Sequence, residues 1–280
     1  MPANQPKVAV VGHVEWVTFA RVPHIPTAGE IVHAEDPFEE PAGGGAVAAV
    51  QLARLAGAAV LVTALGDDEH GRRSVKRLGE LGVEVWNARR EEPTRTAVTL
   101  VDSERERTIT TFGARLEPRA NDSDIPWDEL AEMDAIYFTA GDLDALRAAR
   151  AAPVLVSSPR ALHALGHGVP LDALVSSAED TVERREAAAA QADARLVVET
   201  EGAHGGSYRG VEAGSGKWQA AKLPGPPVDS YGCGDSFAAG LTYGLGSGFP
   251  VPDALRLAAG CGAVCLTGHG PYERQLTDPH

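Results

Sequence analysis

The 280-residue chain has only three cysteines, Cys233, Cys261 and Cys265. They are odd in number and clustered late, which argues against a disulfide framework and predicts thiols in a reducing compartment. No stretch of about 18 uninterrupted apolar residues occurs, so no segment is expected to span a bilayer. Met1 to Lys7 lacks the basic start and apolar run of a signal peptide, and a cytoplasmic protein is expected. Basic residues are scarce: 25 Lys and Arg stand against 39 Asp and Glu, a formal net charge of −14. Such a field repels nucleic acid and anionic membranes at long range, so neither is expected as a partner. It leaves the sign inside a local pocket open. No Gly-x-x-x-x-Gly-Lys-Ser/Thr loop occurs, since Gly216-Lys217-Trp218 fails the pattern, and no Gly-x-Gly-x-x-Gly follows the first strand. Both absences weaken the common nucleotide-binding alternatives. His163 and His167 stand four apart, as zinc ligands on one helix face would, but Gly166 and Gly168 break that helix.

What is present is a regular beat. Val8 to Gly12 reads as a buried strand ended by glycine. His13 to Pro41 is irregular, with four prolines and short strand-like pieces. The glycine-led run from Ala42 to Gly57 predicts a tightly packed helix, Ala59 to Leu65 a strand and His70 to Leu81 a helix. Thr96 to Val101 and Thr108 to Phe112 flank a charged tip and predict a hairpin. Strands are then expected at Ala135–Thr139, Val154–Ser157, Ala173–Ser176 and Leu196–Thr200, with helices starting near Asp142, Pro159 and Glu179. Two further helices, Asp235 to Leu245 and Pro252 to Leu266, finish the chain. Alternating strand and helix argues for a parallel sheet covered on both faces.

The stretch Asp229-Ser230-Tyr231-Gly232-Cys233-Gly234-Asp235 stands just ahead of a helix. In an open parallel sheet, ligands sit beyond the carboxyl ends of strands, where helices begin. A helix start offers unpaired N–H groups and a positive dipole end, and glycines let backbone approach a phosphate. Gly232, Cys233 and Gly234 therefore form a candidate anion hole. Asp235 in the same turn would repel a phosphate, but it suits a base that accepts the proton of an attacking hydroxyl in phosphoryl transfer. The plain alternative is a helix cap.

These residues resemble the C-terminal signature of the ribokinase-like (PfkB) carbohydrate kinases, with Cys233 in place of the usual alanine. Pro41 to Gly57 resembles the N-terminal glycine signature of that family. Pro26-Thr27-Ala28-Gly29-Glu30 resembles its proline–glycine–glutamate element, Gly66-Asp67-Asp68 with Gly71 its glycine–acid–acid turn, and Thr200-Glu201-Gly202-Ala203-His204-Gly205 its nucleotide-site turn. The resemblance implies one kinase domain over the whole chain: a three-layer α/β/α fold with a mostly parallel central sheet. A small β lid, from segments at about 13–41 and 96–112, would cover the acceptor. It implies an ATP- and Mg²⁺-dependent phosphotransferase with Asp235 as catalytic base and Gly232, Cys233 and Gly234 as anion hole. Thr200, Gly202 and Gly205 would border the nucleotide. A monovalent cation such as K⁺ would sit near Asp229 and Gly268 to Gly270, and two lids could pair into a homodimer.

The departures fall at metal and acceptor positions. Where relatives carry an Asn-x-x-Glu pair, this chain has Ser177 and Asp180, and Asp180 could reach Mg²⁺ only through water. Val17 and Val47 replace an aspartate and an asparagine that read sugar hydroxyls, and Gly44 replaces a lysine. Glu15 is the nearest polar substitute, with Gly43, Gly44 and Gly45 allowing close approach. From Val10 to Gly45 six carboxylates (Glu15, Glu30, Glu35, Asp36, Glu39, Glu40) face one cation, Arg21. A sugar phosphate would want an arginine or lysine clamp, and Arg107 is the one cation the sequence nominates elsewhere. The expected acceptor is therefore a small unphosphorylated sugar or polyol. A nucleoside stacked on Trp16 or Phe19 is an alternative. A ribokinase-like binding or regulatory protein without turnover is another.

Overall fold

The computed structural model describes residues 5–180 and 191–279. The central sheet has nine strands in the order β13-β12-β11-β10-β9-β8-β1-β4-β5. These are β1 (Val8–Val11), β4 (Ala59–Gly66), β5 (Val83–Arg90), β8 (Ala135–Phe138), β9 (Val154–Ser157), β10 (Ala173–Ser177), β11 (Leu196–Thr200), β12 (Gly206–Gly210) and β13 (Gly214–Trp218). The run from β11 to β5 is parallel, and β12 and β13 add antiparallel. Strand β1 is buried throughout, and its residues alternate between two cores: Val8 and Val10 belong to one, Ala9 and Val11 to the other. That is how a continuous apolar run reads when both sheet faces are covered.

Helices α1 (Gly44–Ala56), α4 (Cys233–Gly246) and α5 (Val251–Cys265) contribute to the first core, and α3 (Leu143–Ala149) to the second. The α/β/α layering expected from the alternating pattern is thus present. Helix α1 is alanine-rich and almost wholly buried, so it packs closely on α4. Its start abuts the end of β1: a β-carbon on Gly45 would lie 2.6 Å from the His13 carbonyl oxygen. Gly45 is thereby spent on packing, and its N–H donates to that same oxygen.

A second sheet has the order β3-β2-β6-β7, with β2 at Glu15–Arg21, β3 at Glu35–Ala42, β6 at Thr96–Val101 and β7 at Arg107–Phe112. Its mounting is specific. Asp68 caps α2 (Glu69–Glu80) by accepting from the Gly71 N–H, and also accepts from the backbone N–H and hydroxyl of Thr94. The glycine–acid–acid turn therefore fixes the entry to β6 and the placement of Arg95.

Three elements escaped the sequence pattern. β5 is an edge strand with mixed polarity, and β12 and β13 are short and glycine-rich, so none shows the apolar run of a central strand. The helix expected at Pro159 is a 3₁₀ segment, Pro159–Ala164. The one expected from Glu179 falls on residues 181–190, outside the described residues.

Candidate functional site

Helix α4 begins at Cys233 with Gly232 as its N-cap, in the left-handed region at φ 81°. A β-carbon on Gly232 would also lie 2.8 Å from Val47 Cγ1. So Val47 packs under the glycine turn rather than facing an acceptor. No side chain caps α4. Asp235 is therefore not the cap, and its half-buried carboxylate points elsewhere: Oδ1 lies 2.9 Å from where a β-carbon on Gly44 would stand. A Gly234 β-carbon would meet nothing within 4 Å, which leaves open space above the helix start. The first N–H groups of a helix lack intrahelical partners and carry its positive end. The arrangement is an open helix start, with N–H groups that could meet an anion, beside the Asp235 carboxylate. Hydrogen bonding to Cys265 and burial keep the Cys233 thiol protonated, so it fills an alanine site and is no nucleophile.

Across Gly44 lies Thr139, at the carboxyl end of β8, with Oγ1 3.5 Å from the same missing β-carbon. Gly43 is in the left-handed region, and a β-carbon there would lie 3.0 Å from His13 Nε2 and 3.4 Å from Glu15 Cγ. Its N–H donates to the Tyr231 hydroxyl at 3.1 Å. Asp235, Glu15, His13, Gly43, Gly44, Thr139 and Tyr231 are thus brought together between α1, α4 and the small sheet, and this cluster is the candidate acceptor pocket.

Three arginines surround this pocket. Arg95 Nε is 3.5 Å from Glu15 Oε2. Arg115 donates to the Thr139 carbonyl at 2.7 Å and to the Arg160 carbonyl at 3.1 Å. Burial first, then the fields of Arg115, Arg160 and Arg95, hold the His13 imidazole well below its usual range, so it is neutral. Its Nδ1 is buried without a hydrogen-bond partner. Burial raises the Glu15 carboxyl, and the same three arginines oppose that rise. These cations correct the charge count made along the chain. Arg107, the cation that count nominated, donates instead to the carbonyl and hydroxyl of Ser230. His13, Thr139 and Arg160 all follow the carboxyl ends of parallel strands, the position where ligands are expected in such sheets. That rule, applied strand by strand, would have found them.

The aromatic candidates are part of the small sheet's own core. Phe19 is 1% exposed and stacks on Phe38, with Tyr231 edge-on. Trp16 stacks on His70 under the Arg73 guanidinium. Neither offers a face to a base.

The residues expected to border a nucleotide lie at the carboxyl edge of β10 and β11. Thr200 pairs with Ser177, and the Thr200 hydroxyl donates to the Ser176 carbonyl at 3.4 Å. Gly202 has φ 53° and packs against the Glu179 carboxylate, while Gly205 closes the turn by accepting from the Glu201 N–H. Among the described residues no group of three His, Cys, Asp or Glu side chains forms a ready-made metal cage. The carboxylates beside this turn are Glu179, against Gly202, and Asp180, and Mg²⁺ is commonly held by phosphates with one or two carboxylates and several waters. Buried Asp229 accepts from the Tyr231 N–H and the Gly270 N–H, bracing the two loops against each other. No helix among the described residues is long and apolar enough to cross a membrane.

The model of the family "pfkB family carbohydrate kinase" matches residues 5–155 and 170–278. The chain is 27% identical to fructoselysine 6-kinase of Escherichia coli, over 82% of this chain and 91% of that one. It is 27% identical to ATP-dependent ribose-1-phosphate kinase of Halopiger xanaduensis, over 97% and 96%. A shorter match, 45% identical, links it to acarbose 7(IV)-phosphotransferase of an Actinoplanes strain, over 26% of this chain and 25% of that one. Among solved structures, ribokinase of Arabidopsis thaliana, complexed with ribose and ATP, superposes with a TM-score of 0.75 at 19% identity, over 98% and 96%.

Proposed function

The chain belongs to the pfkB family of carbohydrate kinases, and we propose that it is an ATP-dependent phosphotransferase that phosphorylates a hydroxyl of a small sugar or polyol. The observation that carries this reading is the uncapped Asp235 carboxylate, aimed over Gly44 beside an open helix start. In this role Asp235 accepts the proton of the acceptor hydroxyl as its oxygen bonds to phosphorus and the bond to the departing nucleotide breaks. The N–H groups of Gly232, Cys233 and Gly234 hold oxygens of the transferring group, donors that are already in place when charge develops. Thr200, Gly202 and Gly205 border the nucleotide. Mg²⁺, when bound, neutralises the phosphate charge; Asp180 is the carboxylate that would hold it, through water. K⁺ would sit by the loops that Asp229 braces. Glu15 reads an acceptor hydroxyl from the position left by the missing aspartate, with Gly43 and Gly44 keeping the floor low.

The small sheet serves as a lid that keeps water from competing as phosphoryl acceptor. Its edge strand β7 is exposed throughout, and a second copy could pair there. Three free thiols accord with a cytoplasmic setting. The nucleoside alternative loses the stacking on Trp16 or Phe19 that the sequence offered it, because both are packed in the lid, and a protein without turnover would have no use for a poised Asp235. The deciding test is ADP release with a panel of acceptors, compared between the wild type and Asp235→Asn. Acceptor-dependent release that persists undiminished in the variant would reject the assignment of the base.

A further inference from the structure

We infer that the acceptor carries an acidic group, a phosphate or a carboxylate, seated against Arg95 and Arg115 beside Glu15 and His13. The inference rests on the kinase reading of the same pocket for the identity of the reacting hydroxyl, but not for the charge argument itself.

Three separate segments deliver the cations: Arg95 precedes β6, Arg115 follows β7 and Arg160 follows β9. No single stretch of sequence requires them to meet. Gathering guanidinium groups around one cavity costs energy unless something negative is held there. Arg95 is mounted rigidly. Asp68 fixes its neighbour Thr94, its carbonyl accepts from the Trp16 N–H at 2.9 Å, and its guanidinium donates to the Thr111 hydroxyl at 2.6 Å. Arg115 spends two donors on neutral carbonyls, those of Thr139 and Arg160, which aims the group. The Nε–H groups of both Arg95 and Arg115 are buried and make no hydrogen bond, though each lies within ion-pair distance of a carboxylate, Glu15 and Glu117 respectively. Arg160 adds its field at His13 and Glu15.

The pocket also holds negative groups, and their roles differ. Asp235 is turned toward Gly44 and is needed as the base. Glu117 pairs with Arg115 Nε and is shared with His163. Among the described residues Glu15 is the carboxylate paired with Arg95, and burial favours its protonated form. When an acidic group enters, Glu15 can take up a proton and become a hydrogen-bond donor, leaving the guanidinium groups to the ligand. A planar fork suits a carboxylate or a phosphate, and it discriminates against a neutral hydroxyl that cannot replace the lost charge.

The test uses the full chain without nucleotide. Calorimetry compares ribose and fructose with ribose 1-phosphate, ribose 5-phosphate and fructose 6-phosphate, and with the sugar acids gluconate and 2-dehydro-3-deoxygluconate. The best acidic compound is expected to bind at least tenfold tighter than the best neutral one. Which of the two acidic sets wins decides between phosphate and carboxylate. Arg95→Gln should remove most of that contrast; Arg115→Gln should do the same, and Arg95 serves alone if loss of the Arg115 carbonyl contacts prevents folding. ADP release with ATP is then measured on the same compounds. Tight acidic binding without ADP release keeps this inference and sinks the kinase reading. ADP release with neutral sugars bound tighter than every acidic compound, and equal effects of Arg95→Gln on both classes, overturns the inference and leaves the kinase standing. Absence of both binding and release defeats both.

Discussion

The Asp235 carboxylate and the backbone of Gly44 are in direct apposition, with Oδ1 2.9 Å from the point a β-carbon on residue 44 would occupy. A glycine at the first position of α1 thus decides where the carboxylate of α4 can sit. Gly44→Ala should leave folding intact, since alanine is preferred over glycine in helices by up to about 1 kcal/mol. The methyl group would push the carboxylate aside. A displacement of about 1 Å can cost about 10² in rate. The expected result is a ten- to hundredfold loss of kcat with the melting temperature unchanged or raised. Full kcat in Gly44→Ala would show that the carboxylate is not held for chemistry.

Asp235→Asn removes the proton acceptor while keeping shape and hydrogen-bonding capacity. A positioned base is worth roughly 10²–10⁴ in rate, so kcat should fall by that range. Nucleotide affinity, read by fluorescence titration or calorimetry, should move by less than a few fold, because the carboxylate faces Gly44, on the side proposed for the acceptor.

The two glycines that flank Cys233 should respond differently. Gly232 combines φ 81° with a 2.8 Å approach to Val47. Gly232→Ala therefore adds backbone strain to a clash, and a loss of roughly 1–3 kcal/mol is expected. Gly234 has open space above it, so Gly234→Ala should fold normally. Its methyl group would stand where a phosphate approaches, and turnover should drop all the same. Urea titration and ADP release on the two variants separate strain from obstruction.

How much of this was written along the chain depends on how local the feature is. Asp235 and its glycine turn lie within four residues, so their proximity is legible in the spacing alone. Strands buried on both faces, such as β1 and β4, announce themselves as apolar runs, while the glycine-rich β12 and β13 do not. Arg95, Arg115 and Arg160 span more than sixty positions and meet only through the fold. A charge count over Val10 to Gly45 had no access to them. Phe19 and Trp16 had two readings that only packing could separate.

The edge strand β7 gives a prediction about assembly. All six of its residues are exposed, with Ile109 and Phe112 41% and 54% accessible. An unpaired apolar edge is a template for another strand. Sedimentation at micromolar concentration should show a dimer, and Ile109→Lys should shift it toward monomer. A wild-type chain that sediments only as monomer would leave β7 as a plain exposed edge.

The last prediction concerns acid. His13 is buried and neutral, its imidazole held well below 6.5 by burial and by Arg115, Arg160 and Arg95. In the unfolded chain it titrates near its ordinary value of about 6.5. Between the lowered folded value and about 6.5 the unfolded state therefore binds a proton that the folded state does not. Stability rises with pH wherever the unfolded state holds more protons, so it must fall as the solution is acidified through that window. One such proton contributes a slope of up to about 1.4 kcal/mol per pH unit. Glu15 works the other way: its raised value lets the folded state take up a proton before the unfolded state does, so as pH falls toward about 4.5 it partly offsets the loss, and below that its contribution is constant. The two windows overlap, so the His13 effect is read as the difference in slope between proteins with and without the imidazole, below about pH 6.5. Urea unfolding of wild type and His13→Gln across that range checks it. The wild type should lose stability as pH falls, and the variant should show a shallower slope. Parallel slopes in the two proteins would mean that His13 is charged or solvated in the folded state, and that the arginines do not act on it as their placement requires.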